Sequence, residues 1–143
     1  MVRMLQYLWA LPNTLLGLML GLGVMARGGK WDVVDGVIEF HGRAMADVAR
    51  VLSARGLSVR PMAMTLGHVV IGTSASCLEF SRPHERVHVR QYARWGPFFL
   101  PAYLLSSLWN WSRGRNWYHD NAFEREAYAV AGHGSSDCLQ RNK

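Results

Sequence analysis

From Leu5 to Met25 the chain runs for 21 residues without a formal charge, LQYLWALPNTLLGLMLGLGVM, between Arg3 and the pair Arg27 and Lys30. A helix of that length rises far enough to cross a hydrocarbon core of roughly 30 Å. Pro12-Asn13-Thr14 interrupts the run, and Gln6 and Asn13 need shielding if the segment meets lipid. Gly17, Gly21 and Gly23 admit close approach of a neighbouring element, while Tyr7 and Trp9 suit an interface. Three placements follow: a membrane anchor or embedded segment, a signal peptide cleaved after Val24-Met25-Ala26, or a core helix of the domain. If the segment spans, the excess of Arg and Lys after it predicts a cytoplasmic main domain, a compartment that keeps cysteines reduced. A secreted or periplasmic domain is the less favoured placement.

The remaining residues suffice for one domain, since the whole chain has 143. Half of them are hydrophobic and 18% are charged, a balance that excludes a disordered chain. The net charge is +6 and there are six Trp, so membrane and nucleic acid both compete as partners. No nucleic-acid module accompanies the basicity, and no such partner is expected. Two cysteines, Cys77 and Cys138, exclude a disulfide framework or a four-cysteine zinc site. The expected division is an apolar segment over 1–30, a folded domain over 31–132 and a loose tail over 133–143.

Within the domain, Trp31 to Phe40 reads as two short strands around Asp35-Gly36, a hairpin turn signal. Arg43 to Arg55 has helical spacing and stops at Gly56. Leu57 to Gly72 is β-like, with MTLGHVVIG as its clearest strand. Thr73 to Arg82 looks turn-like, and a helix is expected from about Pro83 with Ser81 as its cap. Trp95-Gly96-Pro97 ends that helix. Phe98 to Trp111 is uncharged but short for a span, fitting a buried or interfacial helix whose Trp109, Trp111, Trp117, Arg113 and Arg115 suit headgroups. A last short helix begins near Asn121. The expected class is α+β.

The most specific chemistry lies in His84-Glu85-Arg86-Val87-His88. Histidines four apart share one face of a helix, so both imidazoles can reach one metal ion. Glu85, beside the first of them, can hold a water molecule on the metal and take its proton. The alternative is a helix with surface histidines and an ion pair from Glu85 to Arg86 or Arg90. A metal site needs a further ligand, and Glu124 is the best candidate, on a helical face with Ala127, Tyr128 and Ala131. Its bland reading is a capping partner of Asn121. Glu126 is the competing carboxylate and points elsewhere.

His84-Glu85-x-x-His88 followed by Glu124-x-x-Ala127 resembles the gluzincin branch of zinc metallopeptidases, especially minigluzincins and small membrane-associated families with Glu-x-x-Ala-Asp. The resemblance covers roughly residues 64 to 131. It implies a small zincin-like domain, with a short antiparallel or mixed sheet packed on the HExxH helix and a downstream Glu-bearing helix. It further implies Zn2+ held by His84, His88 and Glu124, Glu85 as general base, and a peptide or protein substrate. Tyr128 departs from the family's Asp, which typically supports a metal-ligand histidine. The family's substrate-binding edge strand maps to Met64–Gly72, centred on Leu66, Gly67, His68 and Val69.

Four further residues are candidates for transition-state or supporting roles: Tyr118, His119, Tyr128 and Gln91. For Tyr118 and His119 a turn before the Glu124 helix is the alternative, and His68 also reads as a core or edge histidine. Arg82, Arg86, Arg90 and Arg94 form one helix stripe, read as a solvated face or an anion site. The expected function is membrane-associated peptide hydrolysis, with membrane lipid and a membrane protein as expected partners. The alternative is a non-catalytic zincin-like accessory or scaffold subunit.

Overall fold

The computed structural model describes residues 2–54 and 62–132. The described chain runs α1 (Val2–Ala26), β1 (Lys30–Val34), β2 (Val37–His41), α2 (Arg43–Ala54), β3 (Ala63–Leu66), β4 (Val69–Gly72), α3 (Ala75–Trp95), α4 (Phe99–Ser112) and α5 (Ala122–Ala131). The class is α+β, as expected. The expected tail over 133–143 and the residues 57–61 of the second β region lie outside the described residues.

The four strands form one mixed sheet in the order β1-β2-β4-β3. β1 and β2 are an antiparallel hairpin, and Asp35 and Gly36 both take positive φ in its turn (52° and 78°), the geometry an Asp-Gly pair supplies. β2 runs parallel to β4, with α2 in the crossover between them. The stretch MTLGHVVIG, expected as one strand, is two: β3 and β4 pair antiparallel around a turn at Gly67 (φ 63°) and His68. Local apolarity is the same on both sides of that turn, so the pattern hid it; the left-handed glycine makes it.

Alternation along the strands divides the core into two layers. Val69 and Ile71 of β4 join Phe40, Met45 and Val24 on the side of α1 and α2. Val70 joins Val37, Leu78 and Val89 on the side of α3. The same period of two turns Thr65 of β3 and Glu39 of β2 toward α3, because both are register partners of Val70.

α3 begins two turns earlier than expected, at Ala75. Ser74 caps it, its Oγ accepting from Cys77 N at 3.2 Å, and Cys77 and Leu78 are buried in the first turns. Pro83 therefore lies inside the helix rather than at its start, omitting one backbone donor. Ser81 is a buried helical residue, not the cap. The helix ends at Trp95, followed by a 3-10 turn over Gly96–Phe98, as Gly96-Pro97 requires. Cys77 is disulfide-bonded. This corrects the expectation of reduced cysteines and removes the support they lent to a cytoplasmic domain.

The helix α1 is continuous through Pro12 and is long and apolar enough to cross a membrane. It also packs on the domain. Gly17 lets it lie against the β3–β4 turn region, where an added Cβ would meet Val69 Cβ at 2.8 Å. The amide of Asn13 donates to Gly96 O at 2.9 Å, and Thr14 Oγ1 accepts from His68 N at 3.1 Å. Asn13 and Thr14, in the middle of the uncharged run, are thus bonded to the domain itself, whereas Gln6 is exposed.

Candidate metal centre

The i, i+4 spacing on α3 brings His84 Nε2 and His88 Nε2 to 3.1 Å from each other. The third group comes from α5, whose entry is fixed by Asn121. That side chain is fully buried, accepts from Phe123 N at 3.0 Å, and donates to Tyr103 O at 3.0 Å and Ser107 Oγ at 2.7 Å on α4. Asn121 is the N-cap, but Glu124 does not close a capping box. The Asn121 backbone N–H donates to Tyr118 O instead. The Glu124 carboxylate turns to α3, lying 3.3 Å from His84 Nε2 through Oε2 and 3.4 Å from His88 Nε2 through Oε1. Ala127, one turn further on, is fully buried in the packed face of α5.

The donor set fits a metal ion. A tetrahedral site with bonds near 2.0–2.1 Å separates neighbouring ligand atoms by about 3.3 Å. The three separations here are 3.1, 3.3 and 3.4 Å. Glu124 Oε2 is buried and makes no hydrogen bond of adequate geometry, despite the approach of His84. A lone pair left without a donor in such a place is costly unless something else binds it. These three residues are a group able to hold a metal ion.

Electrostatics point the same way. Burial favours the neutral form of Glu124, yet the close approach of His84 and His88, the His88 charge and the Tyr103 hydroxyl hold it well below the usual carboxylate range. Burial alone would push His88 down, but Glu124, Glu85 and Gln91 together raise it to about 9. Without metal, a proton therefore ties His88 to Glu124, and a cation bound there displaces it.

Gln91 is the residue that orients His88. It is buried at 1% exposure, and its Oε1 lies 2.8 Å from His88 Nδ1. Its amide donates to Phe123 O at 3.1 Å and Glu126 Oε2 at 2.9 Å, joining α3 to α5. A carboxamide oxygen accepts only, so His88 keeps a proton on Nδ1, and displacing the Nε2 proton shared with Glu124 would turn the Nε2 lone pair toward a bound cation. Tyr128 packs beside His84 with its ring tilted by 55° and ring centres 4.6 Å apart, and its side chain hydrogen-bonds Tyr118.

Glu85 is buried and points from α3 to the sheet, where Thr65 Oγ1 donates to its Oε2 at 2.5 Å. The expected alternative, an ion pair from Glu85 to Arg86 or Arg90, is absent. Arg86 instead joins Arg82 on Glu39, each at 3.0 Å, and Arg86 also donates to Val34 O at 2.7 Å. Half of the arginine stripe is therefore a clamp between α3 and β2.

A cavity of about 210 Å³ opens beside these groups, lined by Ala63, Met64, Thr65 and Leu66 of β3, by His84, Glu85 and His88, and by Phe99, Leu100 and Tyr103 of α4. Tyr92, Tyr118 and Glu124 complete it. Burial, then the Glu124 charge, push the Tyr103 and Tyr118 hydroxyls up, so both remain proton donors. The expected strand assignment needs correction. Leu66 belongs to the edge strand, but Gly67 and His68 form the turn and Val69 lies in β4, paired on both sides. His119 is exposed, with its backbone N bound by Asn116 Oδ1 at 2.8 Å, and does not line the cavity.

Two contributors escaped sequence reasoning. Tyr103 donates to Glu124 Oε1 at 2.7 Å from within the apolar run of α4, and Thr65 holds Glu85. The single hydroxyl-bearing ring in FFLPAYLLSSLWNW was the available signal for Tyr103. Comparison with protein-family models, curated proteins and solved structures finds no match for this chain.

Proposed function

We propose that the chain is a zinc-dependent peptide hydrolase working at a membrane. The observation that carries this reading is the convergence of His84, His88 and Glu124 beside a buried, separately held Glu85 and a free strand edge. A His2Glu set is a donor combination that suits zinc. Zinc, when bound, supplies a Lewis acid that polarises a carbonyl and makes water more acidic.

The protein's own groups account for the rest. Thr65 fixes one oxygen of Glu85, leaving the other to accept a proton from the attacking water. As the water oxygen bonds to the carbonyl carbon and the C–N bond breaks, Glu85 returns that proton to the leaving nitrogen. Tyr118, on the cavity wall with its proton retained, is placed to donate to negative charge developing on the carbonyl oxygen. The outer edge of β3 pairs with no described strand, so an extended peptide can add there by backbone hydrogen bonds. Met64, Leu66, Phe99 and Leu100 favour apolar side chains beside the bond cut.

Glu85→Gln separates binding from chemistry. The variant should retain stoichiometric zinc while hydrolysis of a mixture of unstructured peptides falls by about a hundredfold or more. Unchanged turnover would remove Glu85 from the reaction; zinc retention without any hydrolysis by the parent protein would favour the scaffold alternative.

A further inference from the structure

The helix α1 is inside-out for a water-facing element. Its buried stripe is mostly small or polar, Ala10, Asn13, Gly17 and Gly21, with the apolar Val24 at its end joining the core, and Thr14 beside it is bonded to the β3–β4 turn. Its outer face is apolar and exposed: Leu5, Leu8, Leu15, Met19, Leu20 and Leu22 are each at least 45% accessible. In a helix between protein and water the order is reversed.

This face does not end with α1. Trp9 and Phe98, both exposed, lie with ring centres 6.1 Å apart, and Phe98 leads into α4. There Leu104, Leu105, Leu108, Trp109 and Trp111 are exposed, and the Arg113 guanidinium sits 4.1 Å above the Trp109 ring. Arg113 and Arg115 follow α4, and Arg27 and Lys30 follow α1, a charge distribution complementary to anionic headgroups.

Length permits α1 to cross a bilayer, but its contacts do not. Tyr7 OH donates to Gly36 O at 3.3 Å in the hairpin turn, Thr14 meets the β3–β4 turn, and Gly21 abuts Phe40 of β2. The sheet therefore lies along the helix from its first third to its last. A crossing helix would take open sheet edges and the Glu39–Arg82–Arg86 cluster into hydrocarbon, where unpaired backbone and charge are expensive.

We infer that α1 lies in the plane of an anionic bilayer, its leucine face in one leaflet and its small-residue face on the sheet, with α4 as a second contact. The protein is then monotopic: both ends of α1 are on the same side. The placement is independent of the metal chemistry, although α4 also lines the metal cavity with Phe99, Leu100 and Tyr103, so the two share one wall.

The test uses the full chain reconstituted on sealed phosphatidylcholine vesicles with and without phosphatidylglycerol. Gln6→Cys and Arg27→Cys, exposed positions off the leucine face at opposite ends of α1, are each labelled by a membrane-impermeant maleimide added outside. Both should react fully and equally; one end reacting only after the vesicles are opened means a crossing helix and overturns the inference. Leu15→Glu with Met19→Glu should abolish flotation with vesicles while leaving the circular dichroism spectrum intact. Arg113→Gln and Arg115→Gln should each weaken binding to the anionic vesicles roughly fivefold. A parent chain that stays off both vesicle types as a stable dimer would show that a second copy covers this face, which also overturns the inference.

Discussion

Replacing Gln91 by Leu tests whether one buried amide joins the metal ligands to the rest of the fold. The substitution keeps the apolar stem but removes the acceptor 2.8 Å from His88 Nδ1 and the donors to Phe123 O and Glu126 Oε2. Glu126 is half-buried and can turn to water, and the Phe123 carbonyl retains the helix. His88 Nδ1 is the group left stranded, because His88 is buried. An unsatisfied buried donor costs about 1–3 kcal/mol, which in a domain of this size lowers Tm by roughly 2–10 °C. Loss of the orienting partner should also weaken zinc binding about 10- to 100-fold. The assay is competition against a chromophoric chelator, with a thermal melt of the metal-free protein beside it. Gln91→Glu keeps the acceptor and should recover most of the zinc affinity. Zinc affinity unchanged in Gln91→Leu would refute the argument that Gln91 orients His88, whatever happens to Tm.

Other consequences follow from the charge pairs. Glu39→Ala leaves Arg82 and Arg86 facing an empty position between α3 and β2, and should cost about 3 kcal/mol in urea unfolding; a change below experimental error would mean that solvent already satisfies both arginines. In the metal-free protein the raised His88 group adds stability that is complete below about 6.5 and disappears as pH rises through about 9. A melt series over that range should show the fall in the parent chain and a flatter profile in Glu124→Gln. A parallel decline in both would assign the effect to other groups.

The chemistry of the site was legible because it is local. His84, Glu85 and His88 share one helical turn, and Asn121 with Glu124 shares another, so spacing alone set their relative directions. The Asp35-Gly36 turn and the stop at Gly96-Pro97 were legible for the same reason: each is a backbone requirement of two adjacent residues. What failed was the reading of partners far along the chain. Glu39 lies 43 residues before Arg82, and its face is decided by its place beside Val70 in the sheet, so the arginine stripe looked solvated. Thr65 became a partner of Glu85 only through a strand register that the apolar run MTLGHVVIG did not reveal. Pro83 suggested a helix start because proline suits first turns, whereas the Ser74 cap and the burial of Cys77 and Leu78 extend the helix before it. The composition of residues 5–25 said only that they avoid water; which side faces protein follows from Asn13, Thr14 and the glycines meeting their partners.

The most direct test of the account is the zinc content of the full-length protein after zinc loading and extensive dialysis, measured by mass spectrometry of the metal for the parent chain and for the combined His84→Ala, His88→Ala and Glu124→Ala variant. Stoichiometric zinc is expected in the parent chain and none above background in the variant. A parent chain that holds no zinc, or a variant that holds as much as the parent, would contradict it.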